Sequence, residues 1–472
     1  MTGPLGPILH LQGAVEALSL SAIVVAPADQ PPPPLVAEGG AVDFDAVDRI
    51  GELAIWRAAF TAPLDCAWSY EALGERYDVA GGWHGDLRFA FASCNGEEHG
   101  DLEREGSERN AMWARLVDHH RAKPFHLLIH GGDQVYADEA TDGHDLSDGW
   151  PDRLPKDPGR ADLADLREHL RRGFFERYLA HMRSPEYAWL SARVPSVAQW
   201  DDHDICDGWG SLRRSATYSP VGQALFGVAH EMALPFQHGV AKGALTPRFE
   251  DAAATHLGWT IDLPGLRLLA PDLRSERTRR QVMGKGGWRL MQAAAQGAQP
   301  DRTFLLSSVP LLGPRLSILE ALMVAVPSMQ NYEDDLRDQW QSRAHRAEWR
   351  RMLTHLSDMA QSPGAHVTAL SGEIHLATRA EMALESGVLH QLVASGVAHR
   401  PPPRAWARAL GALSWLGEDP IPERPVKIRR IPGQSGRYVA ERNTLILTRE
   451  EGAWAAAWDF EYSGVSPKLP LD

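Results

Sequence analysis

From about residue 84 the chain alternates short, wholly apolar runs with long amphipathic stretches, and this alternation confines it to a layered α/β architecture. Buried strands are expected at Leu87–Ala92, Phe125–His130, Val194–Trp200, Leu266–Ala270, Thr303–Val309 and His366–Ser371. Between them, Glu108–His120, Asp162–Arg183, Arg279–Ala295 and Asp335–Met359 repeat apolar residues every three to four positions, which predicts surface helices. The first 80 residues lack such a stripe. They hold short apolar or alternating runs, Ile8–Gln12, Leu18–Val25, Ala54–Thr61 and Cys66–Ala72, separated by turn-rich segments such as Pro31–Pro34 and Gly39-Gly40. That pattern predicts a small Ig-like β-sandwich domain over residues 1–82, in front of a main domain over 83–472. The chain returns to strands at Arg437–Glu441, Asn443–Arg449 and Ala453–Glu461, which predicts a β-meander.

A chain of 472 residues can bury a large core and carry a smaller companion domain. Its net charge of −14 argues against nucleic acid and anionic membranes as partners, because both are held by clustered Lys and Arg. An anionic small molecule stays open, since bound metal ions reverse the potential inside one cleft. Cys66, Cys94 and Cys206 are too few and too widely spaced for a disulfide framework or a CxxC site, so a reducing compartment is expected. No Lys or Arg precedes Arg49, and the apolar run Ala17–Ala26 is about half the ~20 residues that span a bilayer. The expectation is a cytoplasmic protein.

Four segments place metal-ligating side chains directly after apolar strands, where open α/β sheets deliver residues into a cleft. They are Ser93-Cys94-Asn95, then Gly132-Asp133-Gln-Val-Tyr136-Ala-Asp138, then Trp200-Asp201-Asp202-His203-Asp204 with Asp207 and Trp209, and finally Ser371-Gly-Glu373-Ile-His375. Each has a plain structural reading: Cys94 as core packing, Gly132-Asp133 as a turn, the acidic run as a solvated loop. The acidic run resists that reading most, because clustered carboxylates repel one another unless a cation or a set of donors relieves them. Glu373 and His375, at alternate positions, would share a face if extended.

In kind and in order these four motifs resemble the PhoD-like (alkaline phosphatase D) branch of the calcineurin-like metallophosphoesterase superfamily. Lesser echoes are Asp272-Leu-Arg274-Ser-Glu-Arg277 and Asp338-Gln-Trp340. The resemblance spans roughly residues 85 to 460. It implies a four-layer α/β/β/α sandwich with a metal pair at the strand ends. Asp133 would bridge the ions, Cys94, Tyr136 and His375 would favour one, and Asp202 and Glu373 the other. A thiolate beside a phenolate suits Fe3+, and the oxygen-rich position suits Ca2+, Mn2+ or Mg2+. The implied activity is hydrolysis of a small-molecule phosphate ester, first of all a phosphomonoester, by in-line attack of a metal-bound hydroxide. His203, held by Asp204, would protonate the leaving group.

Asn95 is either a phosphate donor or a turn former, and Arg274 either binds the substrate anion or pairs with Asp272 or Glu276. Trp209 is expected near the metals. The chain departs from the family pattern at Glu373, where Asp is usual, at Gly208 in place of Asn, and at Ser307-Ser308, where many superfamily members carry a metal-binding histidine. Two other functions compete: a phosphodiesterase on lipid, nucleotide or polymer phosphates, and an inactive metal-binding module. No Gly-x-Ser-x-Gly elbow supports a serine hydrolase.

Overall fold

The computed structural model describes residues 3–314 and 339–472. Among them the strands form an 11-stranded, a 9-stranded and a 4-stranded sheet. The heart of the first is three parallel strands, Leu87–Ala92, Leu127–Gly131 and Ser196–Gln199, paired through contacts such as Ile129↔Phe91 and Ile129↔Val197. Every residue of these strands is buried. That explains their unbroken apolar character, because a strand covered on both faces shows no polar alternation. The second sheet has its own parallel run, Leu266–Ala270, Arg302–Leu306, His366–Ser371 and Val388–Val393.

Alternate residues of each strand serve different layers. Phe89, Phe91, Ile129 and Val197 of the first sheet share one core with Leu268, Phe304, Leu306 and Leu370 of the second. Indoles stitch the two sheets together: Trp259 Nε1 donates to the Ala198 carbonyl at 2.7 Å and Trp458 Nε1 to that of Val393 at 2.9 Å. On the far side of the first sheet, Ala90, Ala92 and Leu128 meet Trp113 and Leu116 of the helix Ala111–Ala122. On the far side of the second, Leu269, Leu305 and Val367 meet the helices Lys285–Gln296 and Arg346–Met359 through Trp288, Met291, Trp349 and Leu353.

The free-standing sandwich expected over residues 1–82 is not formed. Leu5–Ala14, Leu18–Pro27, Leu53–Ala62 and Asp45–Ile50 pair in that order and extend the first sheet, with Leu5–Ala14 lying parallel to Ser196–Gln199 through His10↔Ser196. Only Leu35–Ala37, Gly40–Val42, Trp68–Ala72 and Glu75–Val79 form a small separate sheet. Apolar content explains the outcome. Leu18–Pro27 is buried at every position except Ser19 and Pro27, so it needs cover on both faces, which a thin two-layer unit does not give.

Element ends also shift. Within the long amphipathic stretch up to Met359 the described residues become helical at Arg346, and residues 335–338 of that expectation lie outside the described residues, as does Asp338 of the Asp338-Gln-Trp340 echo. The strand expected over Thr303–Val309 stops at Leu306; beyond it Ser308 turns toward the acidic run, while the Ser307 hydroxyl donates to the Val309 carbonyl at 2.6 Å. Asn443–Glu450 and Ala453–Phe460 form a hairpin on the Leu87–Ala92 flank of the first sheet, whereas Tyr438–Val439 joins the second. Among the described residues no helix is long and apolar enough to cross a membrane.

Candidate metal centre

The parallel strands of both sheets end beside one cleft of about 630 Å³, lined by Glu98, Asp133, Asp138, Asp202, His203, Asp207, Glu373 and His375. Four residues of the quoted motifs leave their strands in the left-handed region: Cys94 at φ 56°, Asp133 at 52°, Glu373 at 67° and His375 at 51°. They are four of nine such non-glycine residues in the described chain, and conformations of this kind cost roughly 1–3 kcal/mol each. Their concentration at one cleft points to function. Gly132, just before Asp133, has φ 109°, and a Cβ there would sit 2.8 Å from the Asp201 Cβ, so only glycine lets the two motifs approach.

The Cys94 thiol donates to Asp133 Oδ2 at 3.4 Å, and Tyr136 OH lies 3.0 Å from His375 Nε2. His375 is further held by its backbone N–H, which donates to Ser395 Oγ at 2.8 Å, and by His399, whose ring stacks on it at 3.4 Å. Ligand atoms of Cys94, Asp133 and His375 fall within 4.8 Å of one another, as do those of Asp133, Asp201 and Asp202. Asp133 is thus common to two clusters. Glu373 accepts from Gln339 Nε2 at 2.9 Å, so its longer side chain is steered by a neighbour.

Whether this set fits a metal is answered by what the protein leaves unsatisfied. Asp133 Oδ1 and Asp201 Oδ2 are buried without a hydrogen-bond partner among the described residues. Burial, reinforced by Asp201, pushes the Asp133 carboxyl well above its ordinary range, and burial together with Asp133 does the same to the Cys94 thiol. The same burial, with Cys94 and Asp133 nearby, raises the Tyr136 phenol. A cation among these atoms removes all three penalties, and thiol, phenol, imidazole and carboxylate are each competent ligands.

Three expected roles change. Asp204 does not hold His203. Its carboxylate accepts from the backbone N–H groups of Gln134, Val135 and Asp201 at 2.9, 3.1 and 2.9 Å, and from Gln237 Nε2 at 2.9 Å. Adjacent side chains diverge from a turn, so Asp204 points into the scaffold while His203 faces the cleft. The partner of His203 Nδ1 is Asp138, at 3.0 Å, and the ring stacks on Tyr136 at 4.3 Å. Burial disfavours the charged ring, but Asp138 and Asp202 outweigh it and hold its pKa well above the ordinary histidine value.

Asn95 is not poised to bind phosphate: its Nδ2 lies 2.6 Å from His181 Nδ1 and its Oδ1 accepts from Trp113 Nε1 at 2.8 Å, beneath the site. Arg274 is fully buried and pairs neither with Asp272 nor Glu276 through its guanidinium, which binds Asp201 through Nε, Asp202 Oδ1 at 3.1 Å and the Trp209 carbonyl at 3.1 Å. It neutralises the acidic run instead of meeting substrate. Trp209 stacks on Phe226 at 5.4 Å, in the core. Ser308, where a histidine was noted as missing, donates to Asp201 Oδ1 at 2.7 Å. Asp138 and Glu98 were not singled out from sequence, although Asp138 lies two residues after Tyr136 in a quoted motif.

The family described as PhoD related phosphatase matches residues 49–331 of this chain. The uncharacterized protein YGR266W of Saccharomyces cerevisiae (strain ATCC 204508 / S288c) is 22% identical over 351 residues, covering 61% of this chain and 49% of that protein. The chain therefore spans about half the length of this curated relative. The solved structure of PhoD is similar in fold, with a TM-score of 0.58 at 12% identity over 99% of this chain and 91% of that one. A family match over more than half of the residues, on a fold shared along nearly the whole length, makes this chain a member of the PhoD related phosphatase family.

Proposed function

We propose that the protein hydrolyses phosphate esters at a centre of two metal ions, within a four-layer α/β/β/α sandwich formed by the helix, sheet, sheet, helix order. The observation that carries this reading is Asp133, a buried carboxylate at a strand end, with one oxygen unpartnered among the described residues, shared between a thiol-imidazole cluster and an aspartate cluster. In this reading Asp133 would hold both ions, Cys94, Tyr136 and His375 would hold the first, and Asp202 and Glu373 would hold the second. The donor sets favour Fe3+ at the first position and Ca2+, Mn2+ or Mg2+ at the second. The bound ions supply the positive charge that draws in and polarises the phosphoryl group.

The chain's own residues do the rest. Asp138 fixes His203 through Nδ1, which leaves Nε2 as the nitrogen that gives a proton to the departing alkoxide. Arg274 keeps Asp201 and Asp202 from repelling each other apart, and Asp204 ties the turn to the Gln134 backbone. The test is elemental analysis of purified protein together with hydrolysis of an aryl phosphomonoester and diester before and after chelation. Near-stoichiometric iron and a second metal, with activity lost on chelation and restored by readdition, is the expected result. Protein that stays inactive with iron, calcium, manganese or zinc supplied overturns the reading in favour of a binding module.

One observation supports diesters over monoesters. Six carboxylates line the cleft, and no Lys or Arg does so among the described residues. A monoester dianion brings one more negative charge into that field than a diester does. The rate ratio on the paired aryl substrates decides between them.

A further inference from the structure

Away from the carboxylates, the same cleft is walled by Leu312, Ile374, Pro402, Trp406, Leu410 and Tyr438. These residues come from four separate stretches of chain: the segment after Arg302–Leu306, the Glu373–His375 turn, the helix Arg404–Leu413 with the prolines before it, and the strand Tyr438–Val439. Leu312, Leu410 and Tyr438 belong to the core cluster that also holds Trp349 and Met352, and Ile374 and Trp406 pack against it. The wall is therefore anchored to the second sheet and its helices and stands ready-made. It is also continuous with the candidate metal centre, because Ile374 lies between Glu373 and His375.

Charge narrows what such a cleft accepts. Beyond the positions assigned to ions, Glu98, Asp138 and Asp207 add negative charge, and no described lining residue is a Lys or Arg. A second phosphoryl group or a carboxylate on the substrate would meet repulsion, with no Lys or Arg among the described lining residues to receive it. A wall of alkyl and aromatic side chains, in contrast, gains from every methylene it removes from water.

We infer that the substrate carries a single phosphoryl group on an uncharged, apolar alkyl or aryl residue, which the Leu312–Ile374–Trp406–Leu410–Tyr438 wall receives. This inference rests on the phosphoesterase reading and names its substrate class. Nucleoside polyphosphates and polyanionic phosphate polymers are poor substrates on this account.

Two measurements on metal-supplied, full-length protein test it. In the first, binding of methyl-, butyl-, hexyl- and octylphosphonate is followed by calorimetry, with 6-phosphonohexanoate as the charged control. Affinity should rise about two- to fourfold per methylene until the wall is filled, and the charged control should bind more weakly than hexylphosphonate. In the second, kcat/KM is measured for nitrophenyl diesters bearing the same alkyl groups, and for ATP. The alkyl series should rise and ATP should lag its shortest member. Leu410→Asp should flatten the rise of both series with metal content kept, and Trp406→Gln serves as a second variant should that one fail to fold. Turnover with no dependence on chain length, or preference for ATP, overturns the inference while sparing the phosphoesterase reading. Binding that grows with chain length but no turnover of any ester sinks that reading and leaves the apolar site standing.

Discussion

On the acidic flank of the cleft, Cys94, Asp133, Glu373 and His375 are held with positive φ, and Asp133 Oδ1 is buried without a partner among the described residues. On the apolar flank, Leu312, Leu410 and Tyr438 sit in a continuous core and are 1%, 8% and 6% exposed. The first flank is arranged at a cost that only a cation offsets, whereas the second is stable by the same burial that holds the fold together. Binding metal should therefore change the first flank's energetics and leave the second's nearly untouched. Asymmetry of this kind separates the part of a site that does chemistry from the part that selects what is brought to it.

The comparison breaks most visibly at Asp133. Asp133→Asn should lower metal content at both positions and reduce ester hydrolysis by about 5 kcal/mol, close to four decades in rate, read by elemental analysis and initial rates. Retained activity with both metals bound would remove the bridging role. His203→Ala should keep the metals and lose about two to four decades of turnover, least on esters whose leaving group needs no proton. Asp138→Asn should lower turnover about 10- to 100-fold with metals kept, since it acts only through the His203 ring. If Asp204→Asn did the same and Asp138→Asn did not, the assignment of the histidine's partner would be reversed. The smallest effect on rate is expected from Asp204→Asn itself. It should cost about 1–3 kcal/mol of stability by disturbing an acceptor of four donors, measured by urea unfolding, with the folded fraction turning over within a few-fold of the parent.

Much of the scaffold was legible because burial on both faces leaves a plain mark. Leu87–Ala92, Leu266–Ala270 and His366–Ser371 are strands over the residues expected. The helix Pro220–His238 was not, for the opposite reason. Twelve of its 19 residues are buried and Pro235 interrupts it, so there is no polar stripe to set off an apolar one. The chemistry of the site could be located as strand-end motifs, but its pairings could not. His203 was assigned the carboxylate beside it in the chain, yet it uses Asp138, 65 residues away, and Arg274 reaches 73 residues to Asp201 in preference to its neighbours. Proximity along the chain says little about which side chains share a face after a turn. The apolar flank left no motif at all, because its six residues come from four distant stretches and each looks like ordinary core.

The pairing of Leu5–Ala14 with Ser196–Gln199 has a consequence for how the chain is made. One side of that first strand is matched early by the hairpin partner Leu18–Pro27, but the other waits for a strand that follows about 186 residues later, through His10↔Ser196. At roughly 5–20 residues per second of synthesis, the interval is on the order of ten to forty seconds. Throughout it, a nascent ribbon with an open apolar edge is available to strands of other chains. The strand that delivers the Asp201-Asp202 run is thus also the one that closes this edge, so the acidic run of the centre and protection from aggregation arrive together, before Glu373 and His375 are made.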